Sequence, residues 1–115
     1  MNREEQVVLE KRFKENLGRF LVAVQTERVV SQVAFADINN DAVQIARVLK
    51  LYPDISKSLL NAWRTGIKVL RAEAPYVPEE AQAMTEMADK LEMTFDLVLM
   101  GESPEDRVPG VPRIF

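Results

Sequence analysis

Apolar residues recur at spacings of three and four along most of the first hundred positions, and this period constrains the fold more than any other feature. The stripes read Leu9, Phe13, Leu17, Phe20, Val24; then Ile38, Ala42, Ile45, Leu49, Tyr52; then Leu59 or Leu60, Trp63, Ile67, Leu70, Ala74; and finally Ala81, Met84, Ala88, Leu91, Phe95, Val98. Such spacing lays side chains along one face of a 3.6-residue helix, and no segment shows the strict alternation of a half-buried strand. Breaks at Asn39-Asn40-Asp41, Pro53-Asp54, Pro75-Tyr76-Val77-Pro78 and Gly101 separate the stripes. The expected fold is therefore all-α: an antiparallel four-helix bundle with a long first helix, its helices at 3–37, 41–52, 55–73 and 79–100.

End signals agree with this division. Asn40 or Asp41 can cap the second helix, and Asp54 or Ser56 the third. Pro78-Glu79-Glu80 suits a first turn, where proline gives up no hydrogen bond and carboxylates meet the positive end of the dipole. Gly101 stands where a left-handed terminating residue belongs. A helix over 3–37 would be about 50 Å long at ~1.5 Å per residue, with a bend expected near Gly18 or around Gln25–Arg28.

Two stretches are apolar on every side. Phe20-Leu21-Val22-Ala23-Val24 leaves no polar face and the run from Val29-Val30 through Val33-Ala34-Phe35-Ala36 nearly none, and such helices are buried all round. A chain of 115 residues encloses a 35-residue helix with difficulty. Self-association through Phe20, Val29, Val30, Val33 and Phe35 is thus expected, making the protein a homodimer.

The composition removes whole classes of chemistry. The chain has neither histidine nor cysteine, so thiol nucleophiles, zinc sites of the usual ligands, iron–sulfur clusters and Ser-His-Asp catalysis are excluded. Ser31, Ser56, Ser58 and Ser103 have no base to activate them, and no phosphate-binding glycine motif occurs. No catalytic, cofactor-binding or metal-ligating residues are assigned. A net charge of −3 gives no general attraction to nucleic acid or anionic lipid. No apolar run approaches the ~18 residues of a membrane span, and the charged start Met1-Asn2-Arg3-Glu4-Glu5 is unlike a signal peptide. A cytoplasmic location is the expectation.

Charge is unevenly placed. Residues 72–115 hold ten acidic and three basic side chains, whereas 29–71 hold six basic and three acidic. On helical wheels Lys57, Arg64, Lys68 and Arg71 form one row, and Glu86, Asp89, Glu92 and Asp96 another. Antiparallel packing of the third and fourth helices sets these rows face to face. A cation site or carboxylate-dependent enzyme on the acidic row is the third functional reading, because such rows are ordinarily solvated faces.

Residues 43–66 resemble a helix-turn-helix: a short helix carrying Ala46, a break, and a second helix with Lys57, Ser58, Asn61 and Arg64 available to a groove and Trp63 in the core position. Lys50 stands where the motif has its turn glycine, and Pro53-Asp54 occupy the break. A DNA-binding regulator is accordingly the alternative reading.

The stretch 102–115, three of whose residues are prolines, cannot continue a helix. It is read as an extended arm on a bundle domain of residues 1–101. Val108, Val111, Ile114 and Phe115 supply apolar contacts at groove-docking intervals. The leading functional expectation is a non-enzymatic interaction protein (adaptor, chaperone or inhibitor) that binds another protein through helical faces and this arm.

Overall fold

A computed structural model describes residues 2–52 and 54–106. It is all-helical among these residues: α1 Arg3–Glu27, α2 Gln32–Leu49, α3 Lys57–Glu73 and α4 Ala81–Leu99, with short 3-10 turns at Ala74–Tyr76 and Pro104–Asp106. Every member of the first stripe is buried, and so are Trp63, Ile67, Leu70 and Ala74 of the third.

The expected helix over 3–37 is two helices. Arg28 takes the left-handed conformation at φ 57° and sends its N–H back to the Ala23 carbonyl, which the Val29 N–H also reaches at 3.2 Å. Ser31 then restarts the chain, its hydroxyl accepting from the Ala34 N–H at 3.1 Å. Between these ends stand Val29 and Val30, whose branched β-carbons favour extended backbone. The bend foreseen around Gln25–Arg28 is thus a full reversal, and it delivers Phe35 onto Phe20, ring centroids 5.9 Å apart.

Asn39-Asn40-Asp41 does not break the chain, contrary to the sequence expectation; it lies inside α2. Asp41 is buried and receives both arms of the Arg12 fork, Nε at 3.0 Å and Nη2 at 2.8 Å. Its carboxylate is engaged across the hairpin and so does not compete for α2's own backbone. Local turn preference loses to a bidentate long-range bond. The hydrogen bond to Asp41 in turn raises the Arg12 guanidinium above its ordinary pKa.

Ser56 caps α3, accepting from the Leu59 N–H at 3.1 Å. α4 ends as expected at Gly101, φ 73°, where Glu102 N–H bonds Leu97 O at 2.8 Å and Gly101 N–H bonds Val98 O at 3.1 Å. This pair of bonds is a Schellman motif, and it meets carbonyls that a helix end otherwise leaves open.

The helices close a ring in the order α1–α2–α4–α3. Consecutive pairs are antiparallel: Arg12 meets Asp41 where Phe20 meets Phe35, and Arg71 meets Asp89 where Trp63 meets Phe95. Where the ring closes, the neighbours α1 and α3 run parallel, with Phe13 on Trp63 and Arg28 bonded to Glu73. Gly66 permits that approach, since a Cβ there would stand 2.9 Å from Leu17 Cδ2.

Trp63 sits at the middle, fully buried, 4.8 Å from the Phe13 ring and 5.8 Å from Phe95, with its indole N–H donating to the Leu91 carbonyl at 2.9 Å. Trp63→Ala should cost about 3–5 kcal/mol by urea unfolding, a large part of the ~5–15 kcal/mol total of a domain.

The facing charge rows are joined at one point. Arg71 reaches Asp89 at 3.0 Å and Glu92 at 3.2 Å, while Lys57, Arg64 and Lys68 are exposed and make no ion pair with a described residue. Arg71→Glu should therefore lose roughly 0.2–1 kcal/mol, and adding Asp89→Lys should restore part of it; a double-mutant cycle measures the coupling.

Candidate interaction surfaces

The residues expected to mediate self-association divide in two. Phe20 and Phe35 are spent on the chain's own core, and Val30 is half-buried against it; Val29 and Val33 remain exposed. The reversal at 28–31 causes the division. It folds the second apolar stretch back on the first, so each helix covers one side of the other and leaves the far side in solvent.

That far side is on α1. Val8 and Val22 are 61% and 57% exposed, and Gly18 between them is open: a Cβ placed there meets nothing within 4 Å. Glycine in mid-helix costs roughly 1 kcal/mol relative to alanine, and Gly18, unlike Gly66, answers no packing need within the chain.

The opposite surface of interest is the end where α2 and α4 finish. Leu51 is 75% exposed and Leu99 57%, and Tyr52 and Met100 are exposed beside them in the register set by Lys50 and Ser103. Here the stretch after Gly101 is anchored. Residues 104–106 form a 3-10 turn and not the extended strip expected from 102 onward. Ser103 is buried, its N–H donating to Asp106 Oδ2 at 2.9 Å and its hydroxyl to Glu105 Oε2 at 2.6 Å. Lys50 pairs with Asp106 at 2.6 Å, and Arg47 pairs with Glu105. Turn and clamp together tie residues 103–106 to the end of α2. Val108, Val111, Ile114 and Phe115 lie outside the described residues.

Sequence reasoning overlooked this clamp, although a signal was present. Ser103-Pro104-Glu105-Asp106 has the Ser-x-x-Asp form of a reciprocal side-chain-to-backbone turn. Its basic partners come from α2, 53 to 58 positions earlier, a separation that no local pattern reports.

The helix-turn-helix candidates Lys57, Ser58, Asn61 and Arg64 are exposed on α3, where Ser58 accepts from Lys14 Nζ at 3.3 Å. The preceding helix of the motif is elsewhere. α2 and α3 occupy opposite corners of the ring and do not pack as a pair, and residues 50–56 separate them. Segment 43–66 lacks the compact two-helix geometry in which one helix braces the other in a groove. Among the described residues no group of three or more acidic side chains is arranged to hold a metal ion, and no helix is long and apolar enough to cross a membrane.

Two concavities lie between helices. One, of about 280 Å³, is lined by Phe20, Ala23, Val29 and Ala34 between α1 and α2. The other, of about 340 Å³ between α2 and α4, is amide-rich, with Gln32, Asn39 and Asn40.

The clamp sets a pH dependence. The Arg47 guanidinium, the Ser103 hydroxyl and local backbone hold the Glu105 carboxyl down at about 2, and Lys50 lowers Asp106. A carboxyl whose folded value lies below its unfolded value stabilises above the unfolded value, and the contribution disappears as pH falls through the folded one. The clamp should therefore be whole above pH ~4.5 and lost toward pH ~2. Carbon-detected NMR titration should show the Glu105 midpoint near 2, moving up toward ~4.3 in Arg47→Ala.

Comparison with protein-family models, with curated proteins and with solved structures finds no match.

Proposed function

We propose that this protein is a non-enzymatic helical interaction protein, an adaptor, chaperone or inhibitor, that acts in the cytoplasm as a homodimer and engages a second protein. The observation that carries this reading is the contrast between a finished core and the apolar surface left outside it. Trp63, Phe13, Leu17, Ile38, Ile45, Leu59, Leu70 and Leu91 are all essentially inaccessible, so the bundle needs no further burial to fold. Eleven large apolar side chains among the described residues nonetheless stay exposed. Single exposed apolar residues are ordinary, whereas grouped ones mark contact surfaces.

The end formed by Leu51, Tyr52 and Leu99 is the surface offered to the second protein. Arg47 and Lys50 hold Glu105 and Asp106 of the turn that follows α4. The apolar residues of the arm, Val108, Val111, Ile114 and Phe115, add a second contact in this reading, so that an apolar strip and an apolar platform grip the partner jointly. Burying Leu51 and Leu99 in such a contact would contribute about 1.5–3 kcal/mol per side chain.

Affinity capture from the native host tests the reading. Tagged wild-type chain should retain a specific protein. The double variant Leu51→Asp/Leu99→Asp should lose that protein while keeping its helical circular dichroism, because neither residue belongs to the core. Identical capture profiles for the wild type and the folded variant would refute this assignment of the surface.

A further inference from the structure

The outward side of α3 is of one chemical kind. Its exposed positions from 57 to 68 are Lys57, Ser58, Asn61, Arg64, Thr65 and Lys68, with no acid and no apolar side chain among them. At about 100° per residue they share an arc of roughly 120°. Lys57, Arg64 and Lys68 make no ion pair with a described residue. Lys14 of α1 joins the edge of this face, its Nζ 3.3 Å from Ser58 Oγ. The acid of α3 itself is Glu73, which Arg28 bonds, and Asp89 and Glu92 of α4 are both taken by Arg71. Asp96, one turn beyond Glu92, and Glu10, one turn before Lys14, are the flanking carboxylates. A solvated helix face ordinarily mixes charge signs, as α1 does with Lys11 beside Glu15. This one carries a single sign.

The cations select an anionic partner, and the residue types missing from the face select which. A protein interface has an apolar centre, and an anionic membrane takes apolar side chains along with cations. Neither finds them here. Single strands stack their bases on aromatic rings, and Trp63 is buried beneath this face. A duplex asks for none of these, because its bases are enclosed and its backbone is a row of charges. Lys57 and Lys68 stand ~16 Å apart along the helix axis, a length over which each strand of a DNA duplex sets about five phosphates. The wide major groove of B-form DNA also admits a helix, which the narrow one of duplex RNA does not.

We propose that the outward face of α3 binds the backbone of double-stranded DNA without regard to sequence. Lys57, Arg64, Lys68 and Lys14 meet phosphates, and Ser58, Asn61 and Thr65 donate hydrogen bonds between them. This contact goes beyond the reading of the Leu51 and Leu99 end and does not depend on it. It also needs no helix-turn-helix, since α3 approaches without α2 as a brace. The net charge of −3 opposes the rest of the molecule's approach, so the contact is confined to this face and weak.

Fluorescence anisotropy of the full chain with a short labelled duplex of random sequence tests the proposal. Binding should appear at micromolar protein in low salt. With four phosphate contacts, log affinity should fall against log salt with a slope of about −3 to −4, roughly a hundredfold between about 50 and 200 mM. Arg64→Gln/Lys68→Gln should bind more weakly and lose about 2 from that slope, with its circular dichroism and melting temperature kept. Arg19→Gln/Lys90→Gln removes the same charge from other faces and should bind as the wild type does. No binding in low salt, or equal losses in the two double variants, overturns the proposal. So does binding of duplex RNA or of polyglutamate as tight as that of DNA, the latter assigning the face to an acidic protein. Capture at the Leu51 and Leu99 end is read on different variants, so neither result decides the other.

Discussion

The placement of Trp63 is the constraint on which the rest of the structure depends. Its ring touches Phe13 of α1 and Phe95 of α4, and its N–H is satisfied by a carbonyl of α4. A tryptophan so deeply buried must find an acceptor, because an unpaired buried donor costs about 1–3 kcal/mol. The acceptor sits on α4, so α3 and α4 are locked in one register. The contact with Phe13 brings in α1 at the same level, and Gly66 lets α1 come close. With three helices set around one side chain, α2 has a single corner left, beside α1 and α4.

That corner is held by polar bonds at the middle of α2 and at its C-terminal end. Arg12 takes hold of Asp41 near the middle of the α1–α2 hairpin, while Arg47 and Lys50 grip the turn after α4. The ion pairs at the clamp are exposed and add little stability individually. Their consequence is positional: they tie the turn at 104–106 to the C-terminal end of α2. The same economy appears at the other end, where Arg28 bonds Glu73 and lies 5.7 Å over the Tyr76 ring, tying the end of α1 to the end of α3.

Function follows from what this packing leaves outside. The reversal at Arg28 turned two all-round apolar stretches into a hairpin whose inner sides meet. Val22 and Val33 were left in solvent, where Phe20 and Phe35 were taken in. The outward face of α1 and the end at Leu51 and Leu99 are residues of that choice.

The sequence by itself determined the all-helical class, most of the inward stripes, a cap at or next to Ser56 and the glycine stop at Gly101, because each rests on contacts within about one turn of chain, whereas the bounds of the first two helices did not follow from it. Periodicity and capping are local chemistry and are read locally. It also made plain the apolar character of residues 20–24 and of most of 29–36. Only the tertiary structure decided that Asn39-Asn40-Asp41 stays helical, since Arg12 stands 29 positions away from Asp41. The ring order was likewise undetermined by any local pattern, and it placed α2 and α3 on opposite corners so that a short helix–turn–helix string did not become a packed motif. Which face of an apolar helix is buried depends on where its neighbours lie, and that is settled by long-range packing around Trp63.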